Sequence, residues 1–394
     1  MLTTTASRVV AATLAGGTLL MGCAAQHSDG RAANTKEKIP HGYVEGAEEM
    51  PEPQPRLVLA DGETGRVHVL DLLTGETSAV AHVEGVRDIA GNGRYAYLTT
   101  GSGVLRVIDG GAWAVDHGDH FHYYRTAARD LGEVAGRPPY ETAEGAAVTA
   151  VRSADGAVEL FDRARMEKGD LAGTGGLRAA AAVPYQEHLL MAADGAVVAR
   201  ARTGGAGTPV GACEDPAGTA VTRRGVIFGC ADGALLVTRK GGAFAGERIR
   251  YPRTGKDGER ATEFLHRPGS TTLAAKAGDS GTWVLDVAAK RWKLLETGPV
   301  VAVNAVGEDA PVLSLTEDGV LHAYDPVSGD ETARTELLTA PLTGSPSIQV
   351  DTGRAYLNDP AARAVHEIDY NDDLRRARTF ETGFTPTYMT ETGR

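Results

Sequence analysis

The chain is short of sulfur, of large aromatics and of positive charge. Of its 394 residues only 3 are cysteine and 3 tryptophan, and aromatics make up 6%. So few thiols exclude a disulfide-stapled miniature scaffold and a tetracysteine metal site. Lysine and arginine number 40 against 52 acidic residues, a formal net charge of -12. That balance argues against nucleic acid as a partner, because phosphate backbones demand a basic face. Neither a nucleophile elbow nor a glycine-rich phosphate loop occurs, so the usual signatures of acyl hydrolases and nucleotide enzymes are missing.

Apolar runs are also scarce, and the one at the start has a specific character. After Arg8 comes a mostly apolar stretch from Val9 to Met21, broken by Gly16-Gly17 and ending in Leu20-Met21-Gly22-Cys23. It is too short for a spanning helix and reads as a lipobox. The expectation is a lipoprotein signal peptide over 1-22 and a lipidated Cys23. A small, polar tether follows over 23-40, and a body over 41-394. The protein is then extracytoplasmic, anchored by lipid alone to the outer face of the cell membrane. In that oxidising setting the remaining cysteines, Cys213 and Cys230, read as a disulfide.

Glycine, by contrast, is abundant at 50 residues, and an internal repeat explains it. The unit is an apolar strand, a turn usually built on Asp-Gly, and an alternating strand often ending near Asp. It recurs at Leu57 to Leu72, Tyr97 to Asp109, Val148 to Asp162, Leu189 to Arg200, Val226 to Thr238, Leu273 to Asp286, Val312 to Asp325 and Ala355 to Asp369. The spacing averages about 43 residues, the length of a four-stranded propeller blade. The predicted fold is all-β, an eight-bladed β-propeller. Its first blade lacks an opening strand, and Phe384 to Glu391 supplies it, closing the ring and covering an open sheet edge. One closed, monomeric domain follows.

Propeller blades rarely carry chemistry, so function lies in departures from the repeat. The longest interval contains DHGDHFHYYR at 116-125, with His117, His120 and His122 inside six residues, out of 11 histidines in all. On an extended segment His120 and His122 share a face, and His117 folds back across the turn at Gly118. Imidazoles so placed suit Zn(II), with Asp119 or Asp116 as a carboxylate ligand or orienter. The insertion falls between the third and fourth strands of the second blade, on the same mouth of the ring as His188, His266 and the acidic approach His41, Glu45, Glu48 and Glu49. His68, His82, His322 and His366 read as ordinary blade residues.

Several long segments outside the repeat carry a resemblance. HGYVEGAEE at 41-49, DHGDHFHYYR at 116-125, VPYQEHLL at 183-190, RRGVIFGCADGALLVT at 223-238, HRPGSTTLAA at 266-275 and HEIDYNDDLRRAR at 366-378 resemble the AztD family of extracytoplasmic zinc metallochaperones. The resemblance implies a zinc-binding β-propeller that delivers its metal to the solute-binding protein of a zinc ABC importer. The implied ligands are His117, His120, His122 and His188, with His41 and its acidic neighbours as an accessory segment. The family pattern also has histidine just before the third repeat, where this chain reads Tyr140-Glu141-Thr142-Ala143-Glu144. A non-enzymatic metal carrier is the expected function. The alternatives are a zinc-dependent propeller hydrolase using a base such as Glu187, and an interaction scaffold for which the histidine insertion is only a docking loop. A quinone-dependent propeller fits poorly, since such sites lean on repeated tryptophans and only Trp113, Trp283 and Trp292 are present.

Overall fold

The computed structural model describes residues 44-117, 120-252 and 259-393. The compact unit is Val44–Arg394, and its secondary structure is almost entirely β, with the single-turn helix Arg163–Met166 the exception among the described residues. None of these residues forms a helix long and apolar enough to cross a membrane.

The repeats become antiparallel hairpins, and all but the sixth lie at the centre of a four-stranded sheet. In the first sheet Arg56–Ala60 pairs with Arg66–Asp71, and Thr77–His82 follows on the outer side. The second contains Val86–Asn92, Tyr95–Thr100 and Val104–Asp109, then, after an insertion, Arg129–Ala135. Four-stranded sheets built in simple sequential order occupy 141-178, 181-212, 219-250, 300-336 and 348-381. At 272-295 only three strands form, and Leu265, bridged to Ala274, stands where the innermost strand would run.

The turns explain the aspartates. Asp61 Oδ1 accepts the backbone N–H groups of Glu63 and Thr64 at 3.0 and 2.9 Å, and Asp71 Oδ1 accepts those of Leu73 and Thr74 at 3.0 and 3.1 Å. The carboxylate thus replaces a backbone acceptor and fixes the reversal.

Inner strands read as unbroken apolar runs because both faces are covered. In RLVLA at 56-60, Leu57 and Leu59 enter one cluster with Tyr356, Val365 and Phe380 of the last sheet. Val58 and Ala60 enter another with Ala96, Leu98 and Ile108 of the second. Period-two alternation therefore sorts one strand between two neighbours. Each of the other six apolar clusters likewise joins two sheets that are consecutive in the chain. The packing of last sheet on first is sealed by Tyr388–Thr392, which pairs antiparallel with Arg56–Ala60. A run of small antiparallel sheets packed face to face in this order is the construction of a β-propeller. Cys213 and Cys230 form a disulfide within the cluster between the fourth and fifth sheets.

Four histidines serve the sheets. His68 stacks on Phe384 at 4.2 Å, and His82 lies 3.9 Å from Glu84. His322 Nδ1 meets Glu331 Oε1 at 3.0 Å, and the buried His366 meets Asp359 Oδ2 through Nε2 at 3.2 Å. Burial, aided by the charge of Arg376, pushes His366 below the ordinary imidazole range despite Asp359. Its neutral form is therefore favoured by folding. Below pH about 6.5 the unfolded chain takes up the proton first, so stability is complete above that pH and is lost as pH falls towards the folded value. We expect the decline in melting temperature between pH 7.5 and pH 5.5 to be smaller in His366→Gln than in the parent; equal declines would remove His366 as a contributor.

Candidate metal centre

The second sheet does not pass directly from its third strand to its fourth. After Asp109 the chain turns through Gly110-Gly111 and projects a hairpin of Ala112–Asp116 and Phe121–Arg125, to which Glu48–Met50 adds as a third strand. Glycine is required at the root. Gly111 has φ 70°, and a Cβ there would stand 2.6 Å from Thr126 O and 2.7 Å from Ala128 N. Thr126 N donates to Gly111 O at 2.8 Å, and Arg56 Nη1 donates to Gly110 O and Thr126 O at 2.8 and 3.1 Å. A buried guanidinium thus ties both legs of the hairpin to the first sheet.

The histidines occupy the tip. His117 N donates to His120 O at 3.0 Å, closing the reversal, and Val115 pairs with His122. The three rings converge, with centroids 5.2 Å apart for His117 and His120, 5.0 Å for His117 and His122, and 4.8 Å for His120 and His122. His120 Nε2 and His122 Nε2 are 3.0 Å apart. On its other side, His122 Nδ1 meets Glu49 Oε1 at 2.5 Å.

That last contact decides a tautomer. An ionised carboxylate only accepts, so the Nδ1–H of His122 donates to Glu49, and in the neutral ring Nε2 is left with its lone pair facing His120. A carboxylate that fixes the Nδ1 of an imidazole is the usual support for a histidine that binds metal through Nε2. Two nitrogens on one tetrahedral zinc would stand about 3.3 Å apart, given Zn–N distances near 2.0–2.1 Å. The observed pair needs only a small opening. Among the described residues, however, no set of three or more histidine, cysteine or acidic side chains already surrounds one point as a metal requires. The tip holds a cluster of rings that would have to rotate before they could surround a metal. His117 and His120 are exposed, whereas the side chain of His122 is only 10% exposed.

The other predicted residues distribute unevenly. Asp119, His41 and Cys23 lie outside the described residues. Asp116 ends its strand opposite Phe121 and is exposed at the tip. Glu45 and Glu48 are exposed, and by strand alternation Glu48 points away from the face that carries Glu49. His188 opens a strand of the fourth sheet, after a turn in which Gln186 and Glu187 take φ of 45° and 63°. Its Nδ1 bonds Gln186 O at 2.9 Å and its ring packs on Phe244 of the fifth sheet at 5.0 Å, so its contacts are made two and more sheets beyond the hairpin. Glu187 pairs with Arg202. His266 bonds Val221 O at 3.2 Å. In the segment Tyr140-Glu141-Thr142-Ala143-Glu144, Glu141 pairs with Arg152 and Glu144 with Arg163.

Sequence reasoning placed Glu49 in an accessory group with Glu45 and Glu48 and did not single out Trp113 or Tyr124. The structure makes Glu49 the direct partner of His122. Trp113 and Tyr124 pair across the hairpin and stack at 5.3 Å. Burial, with the negative charge of Glu49, raises the Tyr124 phenol above its ordinary range.

The chain matches two solved structures of AztD from Citrobacter koseri. Each has a TM-score of 0.71 at 20% identity; they cover 87% and 86% of this chain, and 99% and 98% of their own chains, and one of them is the apo form. A complex of the dihydro-heme d1 dehydrogenase NirN matches with a TM-score of 0.57 at 14% identity, over 86% of this chain and 75% of that one. The chain therefore shares the fold of these propellers. No protein-family model and no curated protein matches it.

Proposed function

We propose that this chain is an extracytoplasmic zinc metallochaperone of the AztD type, an eight-bladed β-propeller closed by its C-terminal strand and held at the membrane through a lipid on Cys23. The cargo is Zn(II), and the receiver is the solute-binding protein of a zinc ABC importer. One observation carries the reading: His122 is oriented by Glu49 so that its Nε2 faces that of His120 beside His117. His117, His120 and His122 supply nitrogen donors, and Asp116 or Asp119 lies near enough in sequence to supply an oxygen. His188, His266 and Glu45 stand outside this set.

The arrangement suits a carrier more than a structural site. Two of the three rings are exposed at the tip of a projecting hairpin, where a partner can reach them. Imidazole and carboxylate ligands protonate and exchange more readily than a closed thiolate cage. A lipid-anchored tether over 23-40 would hold the hairpin near a membrane importer and raise its effective concentration there.

Two measurements on the chain from Ala24 onward test this. A competition titration with a chromogenic chelator should show that the protein removes zinc from the chelator. Mixing zinc-loaded protein with the metal-free solute-binding protein should then transfer zinc faster than zinc dissociates to a scavenging chelator. No competition for zinc would end the reading, and transfer no faster than dissociation would reduce it to a zinc-binding protein without a delivery role.

A further inference from the structure

The buried face of the histidine hairpin carries an ordered series of planar groups leading from the interior to His122. It begins at Asp109, which is fully buried and binds Arg94 through two hydrogen bonds, Nε to Oδ1 at 2.9 Å and Nη2 to Oδ2 at 2.8 Å. The guanidinium carbon of Arg94, itself 4% exposed, lies 3.7 Å from the centroid of the Trp113 ring. Trp113 stacks on Tyr124 at 5.3 Å with 22° between planes, and Tyr124 stacks on His122 at 6.2 Å with 20°. Glu49, opposite Tyr124 in the strand register, closes the series on the Nδ1 of His122.

Strand geometry accounts for the order. Tyr124 and His122 are two residues apart on one strand and so share a face, while Trp113 is the cross-strand partner of Tyr124. The first member is held in place, because Asp109 also accepts from Gly111 N at 3.0 Å and Arg129 Nε at 3.4 Å, and pulling the buried Arg94 away from it would cost that guanidinium its closest carboxylate. Each ring then limits the rotation of the next. A histidine on an exposed hairpin would otherwise sample several orientations about its two side-chain torsions.

We propose that Trp113 and Tyr124 are positioning residues, which transmit the rigidity of the buried Arg94–Asp109 pair to His122 and hold its Nε2 towards His117 and His120. The proposal rests on the zinc reading for its consequence but not for its structural content. In that reading His122 would be the fixed ligand of the cluster.

The test compares Tyr124→Leu and Tyr124→Val, which delete the ring, with Tyr124→Phe, which keeps it. Valine favours the strand, so a folding failure of the leucine variant does not hide the result. In metal-free protein, relaxation of the His122 ring carbons should show restricted ring motion in the parent and in Tyr124→Phe, and larger motion in the ring-less variants. Zinc affinity should fall about 10-fold in the ring-less variants, the scale of losing a group that orients a ligand, and stay within about 2-fold in Tyr124→Phe. Unchanged ring motion in the ring-less variants would overturn the proposal, and so would an equal affinity loss in Tyr124→Phe, where the stack survives. If the ring motion changes as described but the parent does not bind zinc, positioning stands and the zinc reading fails.

Discussion

Alanine at His117, His120 and His122 together is expected to abolish zinc competition by the protein, a loss of at least about 100-fold, while the metal-free melting temperature stays within a few degrees of the parent. The two halves of this expectation have separate causes. Affinity resides in nitrogen donors, and alanine removes every one at the hairpin tip. Stability resides in the apolar clusters between sheets, none of which contains these histidines. Glu49→Ala should produce a graded version. It leaves all three rings and the stack behind His122 but removes the carboxylate on Nδ1, so the orientation that turns Nε2 towards His120 is weakened. A fall of about 10- to 100-fold is the scale for removing a carboxylate that orients a metal-bound histidine. Chelator competition and differential scanning calorimetry on the same samples read both quantities. Retained binding in the triple variant would move the site elsewhere, with His188 and His266 the next positions to examine. A collapse in metal-free stability would show that the rings hold the hairpin together.

The sheets were legible in the sequence because their information is local. An apolar strand, an aspartate whose carboxylate closes the turn, and an alternating partner strand lie within about fifteen residues of one another, and every repeat became a hairpin, central in its sheet at all but the sixth. The C-terminal closure was legible as a spare strand, but its bounds were not. The expected segment was Phe384 to Glu391, whereas the strand is Tyr388–Thr392, because Phe384 packs into the cluster between the last and first sheets and stacks on His68. The sixth sheet's missing regular inner strand also had no local signal.

At the candidate site the local part was again the readable part. Three histidines around a glycine turn announced themselves, and the repeat count placed them between the third and fourth strands of the second sheet. What remained hidden was pairing across more than seventy residues. Which of Glu45, Glu48 and Glu49 meets the histidines depends on Glu49 lying opposite Tyr124 in a strand register fixed only by folding, and one step either way would turn the carboxylate to the other face. His188 illustrates the converse. It sits at a turn of the kind expected, yet a ring contact with Phe244 engages it in the fourth and fifth sheets.

The second large effect concerns closure. A chain ending before Tyr388 is expected to lose cooperative unfolding or to melt at least 15 °C lower, and to associate in solution. Five residue pairs join Tyr388–Thr392 to Arg56–Ala60, and Met389 to Thr392 are all buried. Loss of Met389 from its cluster alone is worth about 2–5 kcal/mol, set against a total stability of about 5–15 kcal/mol for a typical domain. Deletion also leaves Arg56–Ala60 with an open ladder of donors and acceptors, the template on which another chain adds a strand. The damage should extend to the metal centre. Thr392 packs where a Cβ on Gly110 would stand, 2.3 Å from its Oγ1, so the final strand supports the root of the histidine hairpin, and Arg56 binds that root from the next strand. Zinc affinity should therefore fall with the truncation although no ligand is removed, and a synthetic peptide covering 384-394 added in trans should restore both melting and binding. Restoration of melting without binding would separate closure of the ring from support of the hairpin, and a truncated chain that melts like the parent would show that the last strand does not close the fold.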